Sequence, residues 1–265
     1  MIVPENNELI VENRGSVSIL TINRPEKRNL VTPSILDGIK EILNDLKKVG
    51  NTRCVVIRGQ GDKAFSSGYD IHAIGENDMI KNQDGSNHLP MAAKSIEDFP
   101  YPVIAMINGH AFGAGLEIAI SCDYRVCALH AKLGMPPAKL GVLYSYAGIR
   151  KFLNLIGSGY TKEMFLIGNP IDGSKAERIG LVNIVKSSEE IEEYTLNLAQ
   201  EISQNAPLSV KTMKFMINKW QENQNLSSEQ EDKLIEMILE VQSSSDYKEG
   251  QKAFSEKRKP VFKGK

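Results

Sequence analysis

The chain has 265 residues, 41% of them hydrophobic, enough to bury a sizeable core in one domain or in one domain with a helical appendage. Its 32 Lys and Arg against 33 Asp and Glu leave a net charge of −1, which argues against broad, sequence-independent nucleic-acid binding. The sequence shows no basic-then-apolar leader and no long uncharged apolar run, so a soluble cytoplasmic protein with no membrane partner is expected.

Residues 9–12 and 17–23 read as two strands, with a hairpin turn at Asn13, Arg14, Gly15 and Ser16. Residues 33–49 predict an amphipathic helix. Ile35, Leu36, Ile39, Ile42, Leu43 and Leu46 form its apolar stripe, and Thr32 stands as N-cap before Pro33. The apolar runs 54–57 and 103–107 suit buried strands, and each leads through a glycine-rich turn into a helix-like segment. Residues 76–90 are polar and rich in Asn, Asp and Gly, which reads as a mobile loop.

Strand–turn–helix units then repeat, giving an α/β architecture. From Ser187 onward the pattern is almost wholly helical. Leu208, Val210, Met213, Phe215, Met216 and Trp220 supply one apolar set, and Leu234, Ile235, Met237, Ile238, Leu239 and Val241 supply another. A boundary near residue 200 divides a 1–200 α/β core from a 201–265 helical region. Cys54, Cys122 and Cys127 lie in apolar surroundings, and an odd count without a secretion signal reads as buried free thiols. His72, His88, His110 and His130 show no metal-ligand spacing, so no metal site is expected.

The chemistry concentrates in the two glycine turns. One runs Ala64-Phe65-Ser66-Ser67-Gly68-Tyr69-Asp70-Ile71-His72, the other Asn108-Gly109-His110-Ala111-Phe112-Gly113-Ala114-Gly115-Leu116-Glu117. Small residues let backbone N–H groups face a ligand, and two such turns can aim two donors at one oxygen, as an oxyanion hole does. Read singly, each turn is equally compatible with an ordinary helix start. The second also sets Glu117 among Leu116, Ile118, Ala119 and Ile120, where desolvation would raise its pKa and favour general-acid work. A helix-start glutamate that merely complements the dipole is the alternative.

These segments resemble the two oxyanion-hole motifs of the crotonase superfamily, also called the enoyl-CoA hydratase/isomerase family. The likeness covers nearly the whole chain, from Val17-Ser18-Ile19-Leu20-Thr21-Ile22-Asn23-Arg24-Pro25, through Asn169-Pro170-Ile171-Asp172-Gly173-Ser174-Lys175-Ala176, to Phe254-Ser255-Glu256-Lys257-Arg258-Lys259-Pro260. It implies a right-handed spiral of ββα units with a helical C-terminal region, assembled as a homotrimer or a dimer of trimers. It implies an acyl-CoA substrate whose coenzyme A is part of the substrate, with no permanently bound cofactor. The backbone N–H groups of Tyr69 and Ala114 would be the oxyanion donors, Ala114 standing where glycine is usual. Ser66, Ser67, Gly68 and Asp70 would line the coenzyme A side of the first turn. Lys27 and Arg28 would meet the coenzyme A moiety from the first loop, and Phe254 and Lys257 would cover its adenine and 3′-phosphate. For Lys27 and Arg28 a solvated turn, and for Lys257 an ordinary charged tail, are the alternatives.

Glu117 matches a catalytic glutamate of that family, but the second one is missing. In Leu133-Gly134-Met135-Pro136-Pro137-Ala138-Lys139-Leu140-Gly141 its place is taken by Pro137. Two carboxylates can share the proton work on a water, and one does this poorly, so hydration is disfavoured. Residues 65–72, 140–144 and 246–250 resemble a decarboxylase subgroup acting on methylmalonyl-CoA, whose chemistry needs no base. There Tyr144 would orient the substrate carboxylate and protonate the enolate; a core tyrosine with a satisfied hydroxyl is the alternative. The chain departs from that subgroup at Tyr69, where His is usual, and at Pro136, where Thr is usual.

Other classes fit worse. Gly109, Gly113 and Gly115 do not make the dinucleotide fingerprint, and no G-x-S-x-G nucleophile motif occurs. A single-glutamate hydratase or isomerase using Glu117, and a catalytically weak coenzyme A-binding protein, stay open.

Overall fold

A computed structural model describes residues 7–70, 88–137, 144–222, 228–256, 258 and 260–265. The N-terminal hairpin forms as its alternation predicts. β1 (Leu9–Arg14) pairs antiparallel with β2 (Val17–Ile22), Leu9 opposite Ile22 and Arg14 opposite Val17. Helix α1 (Pro33–Val49) has the predicted ends. Thr32 Oγ1 accepts from the Ile35 N–H, and Gly50, in the left-handed region, closes the last turn onto Leu46 O. The whole predicted stripe is buried.

The apolar runs become strands covered on both faces, which is why they carry no alternation. β2, β3 (Cys54–Gly59), β5 (Val103–Ile107), β7 (Tyr124–Ala128) and β10 (Ile184–Lys186) are parallel neighbours, giving a six-stranded sheet in the order β1-β2-β3-β5-β7-β10. The glycine turns hold more structure than a sequence pattern suggests. Each contains a short strand of a second sheet: β4 (Ala64–Ser66) in the first and β6 (His110–Phe112) in the second. β8 (Lys132–Gly134) and β9 (Ile171–Asp172) complete that sheet in the order β4-β6-β8-β9. A long strand in the first sheet thus passes to a short one in the second and, in the β5–β6 unit, to helix α3 (Ala114–Ser121). This is the expected ββα arrangement.

Two expectations need adjustment. The polar stretch read as a loop through Pro90 ends earlier, because helix α2 (His88–Glu97) takes Leu89 and Pro90 into its first turn. A proline there forfeits no helical hydrogen bond, and Ala92, Ala93 and Ile96 bury one face. Residues 71–87, which include most of that stretch and also His72, lie outside the described residues. The division near 200 falls inside a helix. After α4 (Tyr146–Lys162) and α5 (Gly173–Arg178), helix α6 (Ile191–Ser203) packs on β2, β3, β5 and β7 with Thr195 and Ala199 fully buried. It therefore belongs to the α/β layers.

The remaining helices are α7 (Pro207–Glu222), α8 (Ser228–Ser243) and α9 (Ser245–Ser255). Lys214 ties α7 to the core, its Nζ 2.6 Å from Asp123 Oδ2 and 3.0 Å from Tyr101 O. Cys54, Cys122 and Cys127 are buried and free, and burial pushes each thiol up to about 12. No helix among the described residues is long and apolar enough to cross a membrane.

Candidate active site

The site is built where the two glycine turns touch. Gly68 has φ +106°, and a Cβ there would stand 3.1 Å from Phe112 O and 3.8 Å from Ala114 N. The turns thus bring the backbone around Tyr69 against the backbone of Ala114. Gly113, at φ +52°, is the N-cap of α3, and Ala114 is the first residue of that helix. The first N–H groups of a helix have no partner within it and point outward along its axis. Glu117 N–H is the donor that closes onto Gly113 O, at 3.0 Å.

The first turn is held from the other side. Val31 forms a parallel bridge with Tyr69, donating to Gly68 O at 2.9 Å and accepting from Asp70 N at 2.8 Å. That bridge uses the groups on either side of Tyr69, so by alternation the N–H of Tyr69 itself faces away from Val31. Ser66 Oγ accepts from Gly68 N at 3.2 Å, and Ser67 N donates to Arg28 O at 3.0 Å. The loop carrying exposed Lys27 and Arg28 is therefore seated on the first turn.

Asp70 is placed differently from a ligand-facing carboxylate. It is 5% exposed, and Arg24 Nη2 lies 3.2 Å from its Oδ2. Arg24 also reaches Glu8 Oε1 at 3.0 Å and Leu30 O at 3.0 Å. Asn29, in the left-handed region at φ +55°, accepts from Arg24 N and donates to Gln60 O and Ala64 O. Sequence reasoning named neither Arg24 nor Asn29 as a site residue. The available signal was an Asn in a loop next to the first turn, since Asn tolerates that backbone region.

Glu117 is 3% exposed. Its carboxylate lies beside Gly148, whose built Cβ would stand 3.2 Å from Oε1 and 3.4 Å from Oε2. Gly148 sits in the first turn of α4, where Ser145 is the N-cap and accepts from Gly148 N at 3.1 Å. Burial holds the Glu117 carboxyl above its ordinary range, with Lys151 working against that shift and Glu97 adding to it.

Tyr144 stands on the oxyanion side. Its hydroxyl would be 3.5 Å from a Cβ on Gly113. Its ring meets Phe165 edge-on at 5.6 Å, and Phe165 meets Phe152 at 4.9 Å, a stack that fixes the ring's direction. Burial first, then the charge of Glu117, keeps the Tyr144 phenol protonated beyond its usual range. Pro137 is buried and brings no carboxylate to the site. Lys257 lies outside the described residues, and for Phe254 only its place on α9 is described. Among the described residues no group of three or more His, Cys, Asp or Glu could hold a metal ion.

The chain therefore joins two apposed backbone turns to one buried acid and one protonated phenol. That set can stabilise negative charge on a carbonyl oxygen and deliver a proton nearby.

Known proteins resemble this chain in sequence and in fold. Methylmalonyl-CoA decarboxylase of Escherichia coli (strain K12) is 33% identical over 253 residues, covering 94% of this chain and 95% of that protein. Short-chain-enoyl-CoA hydratase of Clostridium acetobutylicum is 32% identical over 258 residues, covering 96% and 97%. Among solved structures, Pseudomonas aeruginosa DspI superposes with a TM-score of 0.89 at 30% identity over 98% of both chains. Enoyl-CoA hydratase from Bacillus anthracis does so at 0.87 and 29%, over 98% of this chain and all of the other. The enoyl-CoA hydratase/isomerase family model matches residues 12–265, and the chain belongs to that family.

Proposed function

We propose that this protein decarboxylates methylmalonyl-CoA or a close analogue. One observation carries the reading: Glu117, the one buried glutamate among the described residues, lies close enough to Tyr144 for its charge to help keep that phenol protonated, while Pro137 stands where the family resemblance puts the second acid. In the reaction the C–C bond to the carboxylate breaks, its electron pair passes into the thioester as an enolate, and CO₂ leaves. The N–H groups of Tyr69 and Ala114 hold the enolate oxygen. A proton from Glu117 or Tyr144 then closes the α-carbon, giving propionyl-CoA. A second carboxylate at Pro137 would repel the substrate carboxylate, and the Tyr144 hydroxyl instead donates to it. The 33% identity to a decarboxylase agrees with this reading.

Lys27 and Arg28 receive the coenzyme A phosphates, with Phe254 and Lys257 covering the adenine end. Ser66, Ser67 and Gly68 shape the thioester side, and Asp70 acts there through Arg24. The working assembly is a homotrimer or a dimer of trimers in the cytoplasm. Its joining surface includes Met213, Ile217 and Trp220, spaced along α7 and 53%, 59% and 70% exposed.

The test is incubation with methylmalonyl-CoA and with crotonyl-CoA, products followed by mass. Propionyl-CoA from the first and no change in the second is expected. Water added to crotonyl-CoA without decarboxylation overturns the reading. It would favour the second one, hydration or isomerisation with Glu117 as sole acid/base, for which the 32% identity to a hydratase speaks. Coenzyme A binding with neither substrate turned over would leave a coenzyme A-binding role.

A further inference from the structure

A cavity of about 1150 Å³ opens between α2, α4 and α7, and Glu117, Glu97, Ser121 and Lys151 all line it. Lys151 Nζ sits 2.7 Å from Glu97 Oε1 and donates to Ser121 Oγ at 2.7 Å. Ser121 Oγ in turn donates to Glu117 O at 2.8 Å, one helical turn back. The Lys151 and Glu97 side chains are 17% and 29% exposed, so neither charge is fully screened by solvent. This trio has no part in holding the substrate as proposed above, and no motif announced it.

We propose that Lys151 is a positioning residue that tunes how readily the buried Glu117 releases its proton, with Glu97 as its counterweight, both acting from the cavity that all three line. The inference rests on Glu117 being the acid of the proposed function. The ammonium favours the carboxylate left after proton delivery, and the Glu97 carboxylate opposes it. Ser121 ties the ammonium to the helix that carries Glu117.

Other titratable groups on the elements around α3 are engaged elsewhere. Asp123 meets Lys214 and Val103 N. Arg125 donates to Leu181 O and Cys122 O. Lys94 pairs with Asp98, and His110 accepts from Lys132 N. Lys40, Lys47 and Arg150 share the cavity wall, and Tyr144 lies within reach of the charge of Glu117.

The test needs no substrate, so it stands whether or not decarboxylation is observed. The protonated-carboxyl infrared band of Glu117, assigned by its loss in Glu117→Gln, is titrated with pH in the full-length protein and in three further variants. Lys151→Met should move the midpoint up, by roughly threefold or more in proton affinity, where tenfold is one pH unit. Glu97→Gln should move it down, and Lys151→Arg should leave it in place. Circular dichroism checks that each variant is folded. A purely structural role for Lys151 and Glu97 would not produce shifts of opposite sign. Midpoints that stay put in both charge-removing variants, or that move the same way, overturn the proposal.

Discussion

The two glycine turns present similar backbone to the same place by different means. The first is anchored by side chains. Arg24 grips Asp70 and Glu8, Asn29 bonds two loop carbonyls, and Val31 bridges Tyr69. The second is anchored by packing. Gly113 N donates to Gly134 O, all of α3 is buried, and Gly115 presses directly on Ser66. An N–H held by an ion pair depends on chain segments far apart in sequence, whereas an N–H at a helix start depends on a local fold and on the absence of one side chain.

The sharpest way to break the comparison is at the contact between the turns. A Cβ on Gly115 would stand 2.5 Å from Ser66 O and 2.6 Å from Ser66 Cβ, so Gly115→Ala must push them apart. We expect turnover of whichever acyl-CoA is accepted to fall by about 100-fold, near the loss of one oxyanion donor, with a stability loss of about 1–3 kcal/mol. Near-normal turnover would mean that the turns need not touch.

Arg24→Met breaks the first turn alone. With Arg24 and Asp70 each 8% exposed at the side chain, taking the guanidinium away from the carboxylate should cost about 3 kcal/mol in urea unfolding. Arg24→Lys should recover only part of that, because an ammonium cannot reach Asp70, Glu8 and Leu30 O at once. Unchanged stability in Arg24→Met would place the anchor elsewhere. A smaller probe is Thr32→Ala, which removes the α1 cap next to the Val31 bridge. It should cost about 1 kcal/mol in the same measurement and leave the second turn's packing intact.

The contrast also explains what the sequence could reveal. Hairpin, helix 33–49 and the buried strands are local patterns, and they were legible because period and capping are set by neighbours in the chain. Glu117 was legible as a buried acid because its apolar neighbours are adjacent in sequence. The first turn's anchors were not, since Arg24 and Asp70 lie 46 residues apart. Nor was Lys151, which meets Ser121 from another helix. The short strands inside the turns were missed because three residues carry no measurable alternation.

The least disruptive change sharpens the contrast through charge. The first turn's Asp70 meets a guanidinium, whereas on the second turn's helix the Glu117 carboxylate lies beside Gly148 in a buried setting that holds its pKa above the ordinary value. For a carboxyl raised in the folded state, both states are protonated below the unfolded pKa of about 4.3, and the group makes no difference there. Above that pH the unfolded chain sheds its proton first, so ionisation favours unfolding and stability falls as pH rises toward the folded value. Glu117→Gln removes this penalty while keeping the shape. The variant should therefore melt higher than the parent at pH 8, and the gap should close as the pH falls to about 4. Melting curves at the two pH values decide it. A variant less stable at pH 8 would mean that the carboxylate is sustained by a partner and that the second turn, like the first, is held by charge.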